Sequence, residues 1–169
     1  MSFSNEFDTV QELRREDDPT LAQGEWVAEY KAADWPGVIA LCESLLRTGT
    51  KDLRVAGWWA DASARVRGFQ GMADGLALAA ALVDRQWEFV HPLVEDGDVE
   101  PRVGTLFWLL ARVEAMQYVV PIAAPLGGRR LTLGDVDAAR ARQQAIANGT
   151  LELGLVKAEG KLLIDEIHR

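Results

Sequence analysis

KDLRVAGWWADASARVRGFQGMADGLALAAALVDRQWEFVHP, the stretch from Lys51 to Pro92, decides the fold. Leu53, Ala56, Ala60 and Ala64 recur at intervals of three and four residues, and Trp59, Ala62, Val66 and Phe69 do so on a second stripe. That spacing lines side chains up along a helix. Gly68 and Gly71 mark a short break, because glycine permits both a tight turn and a close approach of two helices. Met72, Leu76, Ala80, Val83, Trp87 and Val90 then make a long stripe on a second helix. The reading is two consecutive buried helices, with Trp87 in the core. The polar residues between the stripes converge on no chemistry, so the stretch reads as built for packing and presentation.

Working outward, Ser4 or Asn5 can cap a first helix running to about Arg15, which Asp17-Asp18-Pro19 ends. Thr20 to Ala33 reads as a loop holding at most one short helix. Asp34 is an N-cap with Pro36 in the first turn of the next helix, whose apolar side is Val38, Leu41, Cys42, Leu45 and Leu46. Gly49 is predicted to close it as a left-handed C-cap. Downstream, His91-Pro92 is predicted to end the second central helix, since proline disfavours helical geometry before it. Glu95 to Asp98 is an acidic turn. A helix from about Pro101 to Val120 follows, with Val103, Leu106, Leu110, Val113 and Gln117 on its core stripe and Phe107 and Leu109 broadening it. Pro121, Pro125 and Gly127-Gly128 break the chain. Leu131 to Leu133 is a short extended piece, and a polar helix from Gly134 or Asp135 reaches Asn148-Gly149. In the final segment Leu151, Leu153 and Leu155 alternate like a strand, whereas Leu155, Ala158 and Leu162 have helical spacing. Helix is the preferred reading because the rest of the chain is helical. The expected fold is all-α, about six or seven helices packed as antiparallel hairpins. Residues 1–149 form the domain, and 150–169 a helical extension packed on it.

The chain of 169 residues suits one core. With 49% hydrophobic and 26% charged residues it is globular rather than disordered. A net charge of -8 opposes attraction to nucleic acid and to anionic membrane surfaces. The basic pairs Arg129-Arg130 and Arg140/Arg142 read as solvated charges. Cys42 is the only cysteine. It can form no internal disulfide, and it reads as a small buried hydrophobe in a cytoplasmic chain. No apolar run approaches the ~20 residues of a membrane-spanning helix.

No constellation argues for catalysis. His91, one turn after Trp87, reads as a helix-end histidine bonding terminal carbonyls, and His168 as a solvated side chain. Glu95, Asp96, Asp98 and Glu100 lack the ligand order of a calcium loop. Gly68, Gly71 and Gly75 lack the ending of a phosphate loop. No catalytic, cofactor-binding or metal residue is assigned, and no cofactor is expected. Six tryptophans remain, Trp26, Trp35, Trp58, Trp59, Trp87 and Trp108. Most suit a core, and adjacent Trp58 and Trp59 should face different neighbours. Trp26 and Tyr30 lie in the least regular segment and are the candidate protein-contact residues, because interface cores favour both types.

Several short motifs, in order, resemble the ImpA-type N-terminal domain of TssA-like type VI secretion proteins. They are Asn5 to Asp8 with Asp17-Asp18-Pro19, Ala33 to Pro36, Asp52-Leu53-Arg54 with Ala56 and Trp58, Arg67-Gly68, Gly71, Asp74-Gly75-Leu76, Trp87 with His91-Pro92, and Arg129 to Leu133. The resemblance covers Phe3 to Ala141. Met1 and Ser2 stand where the family carries a Gly- and acid-bearing turn, so a trimmed N-terminus is expected. The resemblance implies a cytoplasmic, non-enzymatic scaffold that helps assemble baseplate and contractile tail. Its implied partners are other secretion baseplate, sheath or tube proteins, with no nucleic acid and no membrane insertion. Ring formation in the family is assigned to a C-terminal domain, and the present chain has no long heptad repeat. A monomer or weak dimer is therefore expected, any pairing running through Leu155, Leu162, Leu163 and Ile167. Two readings stand beside it: a helical adaptor or chaperone-like domain outside secretion, which an exposed apolar groove would favour, and an enzyme using His91.

Overall fold

The computed structural model describes residues 4–17, 31–122 and 131–158. The protein is all-α. Its described helices are α1 (Ser4–Arg14), α2 (Trp35–Ser44), α3 (Leu53–Arg67), α4 (Phe69–Gln86), α5 (Glu100–Met116), α6 (Leu133–Ala147) and α7 (Leu153–Ala158), with no strand among the described residues. The chain divides into two compact units, Met1–Arg112 and Val113–Arg169.

In the first unit α3 is the central element. It packs most extensively on α4 and next on α2, and α2 packs on α1. Leu53, Ala56, Ala60 and Ala64 are all buried, as their stripe predicts. On the other stripe only Ala62 is fully buried, while Val66 and Phe69 face solvent. Gly68 makes the break in a left-handed conformation, φ 67°. Beyond it the buried ridge of α4 is Gly71, Met72, Gly75, Ala79 and Leu82, offset from the Met72–Leu76–Ala80–Val83 stripe. The offset has a steric cause: the glycines let the α4 backbone lie directly on α3. A Cβ added at Gly75 would fall 2.3 Å from the Ala60 Cβ, and one at Gly71 2.0 Å from the Ser63 carbonyl oxygen.

Two apolar clusters result. Val10, Val38, Cys42, Leu45, Val55, Trp58 and Ala62 join α1, α2 and α3, and Phe7 meets Trp58 edge-on at 5.2 Å. Leu53, Ala56, Leu82 and Val90 form the second cluster, with Leu78, Val83 and Leu106 against it. Each fully buried aliphatic side chain contributes about 1.5–3 kcal/mol of transfer free energy. Trp58 and Trp59 do face different neighbours. Trp58 lies in the core, whereas Trp59 donates its indole N–H to Glu43 and lies under Arg67.

Caps set the helix starts. Asp34 accepts from the Gly37 N–H and Asp52 from the Arg54 N–H, supplying acceptors for amides with no intrahelical partner. The α2 end departs from expectation. It closes in a π-helical turn, Leu45–Gly49, with the Thr50 N–H donating to the Leu45 carbonyl at 2.8 Å. The positive-φ positions among the described residues are Gly68, Asp96, Gly97 and Gly149, so Gly49 is not a left-handed cap.

The α4 end departs further. The helix stops at Gln86, and His91-Pro92, joined by a cis peptide bond, lies beyond it. The His91 N–H donates to the Lys51 carbonyl, and the His91 carbonyl accepts from the Leu53 N–H, so this segment pairs with the entrance to α3. Arg102 fixes the same segment from α5. It is buried, donates to the Pro92 and Val90 carbonyls at 2.6 and 2.8 Å, and lies 4.4 Å from the Trp87 ring centroid. Trp87 is 39% exposed, a lid on Arg102 rather than a core residue. The acidic turn is a hairpin in which consecutive positive φ values, 52° at Asp96 and 80° at Gly97, bring the Asp98 N–H to the Glu95 carbonyl.

In the second unit Pro121 bridges Thr132, and the Ile122 N–H donates to the Leu131 carbonyl at 2.8 Å. The extended piece is shorter than expected, Leu131 and Thr132 only, because Leu133 already begins α6. Thr132 and Asp135 form a reciprocal capping box, which starts α6 one residue earlier than its glycine suggests. Val136, Ala139 and Val156 are buried. The final segment is helical over Leu153–Ala158, with Leu153 and Leu155 exposed; Leu162, Leu163 and Ile167 lie outside the described residues.

Candidate functional site

Two features of the first unit stand out: a polar cleft floored by arginines and an apolar groove. The cleft centres on Asp61, whose side chain is fully buried midway along α3. Three guanidinium groups reach it from three helices. Arg14, the last residue of α1, donates Nη2 to Oδ2 at 3.3 Å. Arg65, one turn along α3, donates Nε to Oδ1 at 3.2 Å. Arg112 of α5 donates Nη2 to both oxygens, at 3.1 and 3.3 Å. Aromatic rings hold the cations in place. Arg65 lies 4.2 Å from the Trp35 centroid, and Arg14 lies 5.7 and 5.8 Å from those of Trp58 and Trp108. Burial pushes the Arg14 guanidinium below its ordinary value, against the pull of Asp61. The cleft encloses about 540 Å³, and Asp8, Glu12 and Glu16 stand among its lining residues.

The spacing of the polar positions of α3 argued for no chemistry, and the structure adds an ion cluster that the spacing did not reveal. The available signal was Asp61 itself, a carboxylate inside a run from Val55 to Ala64 in which nearly every other side chain is apolar. An acid there requires a cation, and Arg65 at i+4 is the local one. Arg14 and Arg112 are brought in only by tertiary packing.

The groove runs between α4 and α5. Leu76, Ala80 and Val83 form one wall and Leu106, Leu109 and Leu110 the other, around about 440 Å³, with Asp84 at the edge. It adjoins the part of α5 that differs most from expectation. Val103, Phe107 and Leu110, assigned to the core by their spacing, are 40%, 66% and 56% exposed. The buried side of α5 is instead Arg102, Leu109 and Met116.

His91 is not the helix-end histidine its spacing suggests. Its backbone pairs with residues 51–53, and its exposed ring lines a third hollow of about 380 Å³ with Arg54, Glu95 and Asp98. Both carboxylates belong to the exposed hairpin. Arg54 is committed to Asp52 through Nη2 at 2.6 Å, a bond that raises its affinity for the proton. Cys42 is fully buried, and desolvation pushes its thiol up to about 12. Among the described residues no group of His, Cys, Asp and Glu is placed to hold a metal ion, and no helix is long and apolar enough to cross a membrane. Trp26 and Tyr30, the predicted contact residues, lie outside the described residues, as do Arg129, Arg130 and His168.

The fold and its two surfaces define an all-α hairpin domain with a charged cleft on its helices and an open apolar groove. The family model for ImpA, N-terminal, type VI secretion system matches residues 1–111, and the chain belongs to that family. The matched span nearly coincides with the first compact unit. The chain is similar to the type VI secretion system component TssA1 of Pseudomonas aeruginosa, 35% identical over 96 residues. That match covers 55% of this chain and 28% of TssA1. It is also similar to a solved N-terminal domain including the conserved ImpA_N region of the TssA component from Burkholderia cenocepacia. That likeness has a TM-score of 0.78 at 34% identity, and covers 98% of this chain and 61% of the other. The protein is thus a TssA-like type VI secretion component domain.

Proposed function

We propose that this domain is a non-enzymatic scaffold module, working in the cytoplasm, that helps assemble the baseplate and contractile tail by docking other secretion proteins. The observation that carries the reading is the groove between α4 and α5. Its walls are aliphatic, and the adjoining stripe Val103–Phe107–Leu110 leaves large apolar side chains in water. An amphipathic partner helix is the occupant that such a groove fits, through side chains at i, i+3 or i+4, and i+7. Isolated apolar side chains on a surface need no explanation, but a groove with an adjoining stripe does. A general helical adaptor would use the same groove. Family membership favours a secretion partner over an unrelated one. The enzymatic reading through His91 has less support, because the acids beside it are solvated hairpin residues.

The test is capture of individual baseplate, sheath and tube proteins by this chain, with Leu110→Asp as the control. Leu110 is more than half exposed, so the variant should fold normally while a charge in the groove edge abolishes capture. Capture unaffected by Leu110→Asp would move the contact elsewhere. Capture of no secretion component would remove the scaffold reading.

A further inference from the structure

The geometry points to the arginine-floored cleft as a second docking point, one that takes a single acidic side chain of a partner protein, flanked by basic residues. This deepens the scaffold reading and rests on it. Three guanidinium groups share the one carboxylate of Asp61, so the floor alone carries two more positive charges than it neutralises, while the whole lining, with Arg15, Asp8, Glu12 and Glu16 added, balances at four arginines and four acids. The donors also outnumber the acceptors. Asp61 takes Nη2 of Arg14, Nε of Arg65 and Nη2 of Arg112, and the buried Nε atoms of Arg14 and Arg112 have no hydrogen-bond partner. The floor is part-buried, with Arg65 and Arg112 reaching solvent, so a surplus of cations there favours an incoming anion, and a carboxylate is the planar acceptor that guanidinium forks match.

The rim narrows the ligand. Asp8, Glu12 and Glu16 line the upper cleft, and Glu12 is already engaged by Arg15 and Lys31. A phosphate or nucleic acid would meet these acids and a chain of net charge -8. One carboxylate with lysine or arginine beside it satisfies both layers, the acid reaching the floor and the bases remaining at the rim. Asp61 is fully buried and its arginines are part-buried, whereas Asp8, Glu12 and Glu16 are exposed, so the floor charges are screened less than the rim acids. The remaining walls suit this as well, since Trp35 and the Arg65 that it stacks against are both only partly buried and form a flat side to the cleft.

The probe is a blocked peptide of sequence lysine–alanine–glutamate–alanine–lysine, titrated into the isotope-labelled 169-residue chain. The arginine Nε–H signals are followed by NMR. Three further arms are run: the same peptide with glutamine at its centre, a version whose only carboxylate is a free C-terminus, and inorganic phosphate. The expected result is a saturable shift of the Arg65 and Arg112 signals with glutamate in the millimolar range, and none with glutamine or phosphate. The C-terminal arm separates a side-chain carboxylate from a chain end; binding in that arm without binding of the central glutamate overturns the inference. Arg65→Gln should weaken binding by roughly tenfold, the loss of one charge-assisted bond, and Arg65→Lys should restore part of it. Arg112→Gln serves as the second variant should the first not fold. Equal shifts with glutamine, tighter binding of phosphate, or no saturable shift in any arm would overturn the proposal. Its failure is separable from that of the scaffold reading. Protein capture that survives Arg65→Gln but not Leu110→Asp removes the cleft and leaves the groove. If no secretion protein is captured at all, the peptide titration still answers for the cleft alone.

Discussion

Replacing Gly75 by alanine should destabilise the protein, although helix propensity alone predicts the opposite. Alanine in a helix interior is favoured over glycine by about 1 kcal/mol. Against that stands the α3–α4 contact. The new Cβ would lie 2.3 Å from the Ala60 Cβ and 2.7 Å from its Cα, and at Gly71 it would lie 2.0 and 2.4 Å from the Ser63 carbonyl oxygen and carbon. These are backbone atoms or a methyl fixed to backbone, so no side-chain rotation relieves them and the helices must separate. Overpacking of a core costs typically about 1–3 kcal/mol and sometimes more. A rigid obstacle places both sites at the upper end, for a net loss of about 2 kcal/mol each. Gly104 is the control: it is exposed within α5, and a Cβ there meets nothing within 4 Å. Gly104→Ala should stabilise by about 0.5–1 kcal/mol. For a domain of this size 1 kcal/mol moves Tm by about 2–4 °C. Thermal melts followed by circular dichroism therefore separate the variants by sign. If Gly75→Ala or Gly71→Ala melts at or above the parent, the close α3–α4 approach is wrong.

Asp61→Asn should cost about 3 kcal/mol, the lower end for breaking a buried ion pair, because the freed arginines can turn toward the open cleft. Urea denaturation checks this, and a loss under about 1 kcal/mol would show that the cluster is not the lock between α1, α3 and α5 that it resembles. Cys42, buried and with its thiol pushed up to about 12, should resist thiol reagents at neutral pH in the folded chain and react fully in denaturant; rapid stoichiometric labelling of the native protein would contradict its burial. Glu12 should titrate below its ordinary 4.5, because the hydrogen bonds from Lys31 and then Arg15 favour the charged form. Its folded value is depressed, so its contribution to stability is present above 4.5 and is lost as pH falls through the lowered value. An NMR titration midpoint at or above 4.5, or one unmoved by Lys31→Ala, would refute the contact.

Periodicity succeeded in the helix buried on most sides and failed in helices where only one of two apolar stripes is buried. In α3 the run from Leu53 to Ala64 is apolar around most of its circumference, as a central helix must be, and the break at Gly68 was legible because only a glycine sits easily at φ 67°. The α4 ridge was misplaced by one residue because a hydrophobic stripe gives no weight to Gly71 and Gly75, which are the points of closest approach. Trp87 was assigned to the core by its place on the stripe with Val83 and Val90, yet its indole works by covering the guanidinium of Arg102. The cleft was illegible beyond Asp61, since its arginines lie at positions 14, 65 and 112 and nothing local ties the first and last to the acid. The α5 error is the most informative. That helix carries one set of side chains at Arg102, Leu109 and Met116, which the fold buries, and another at Val103, Phe107 and Leu110, which it does not. A sequence that serves only its own fold has no reason to maintain the second set, because exposed aliphatic and aromatic side chains gain nothing in water and invite aggregation. Local rules fail most often at surfaces kept for function. The exposed stripe is therefore the one expected to meet a partner, and through Leu110 it reaches the groove where a partner helix is proposed to dock.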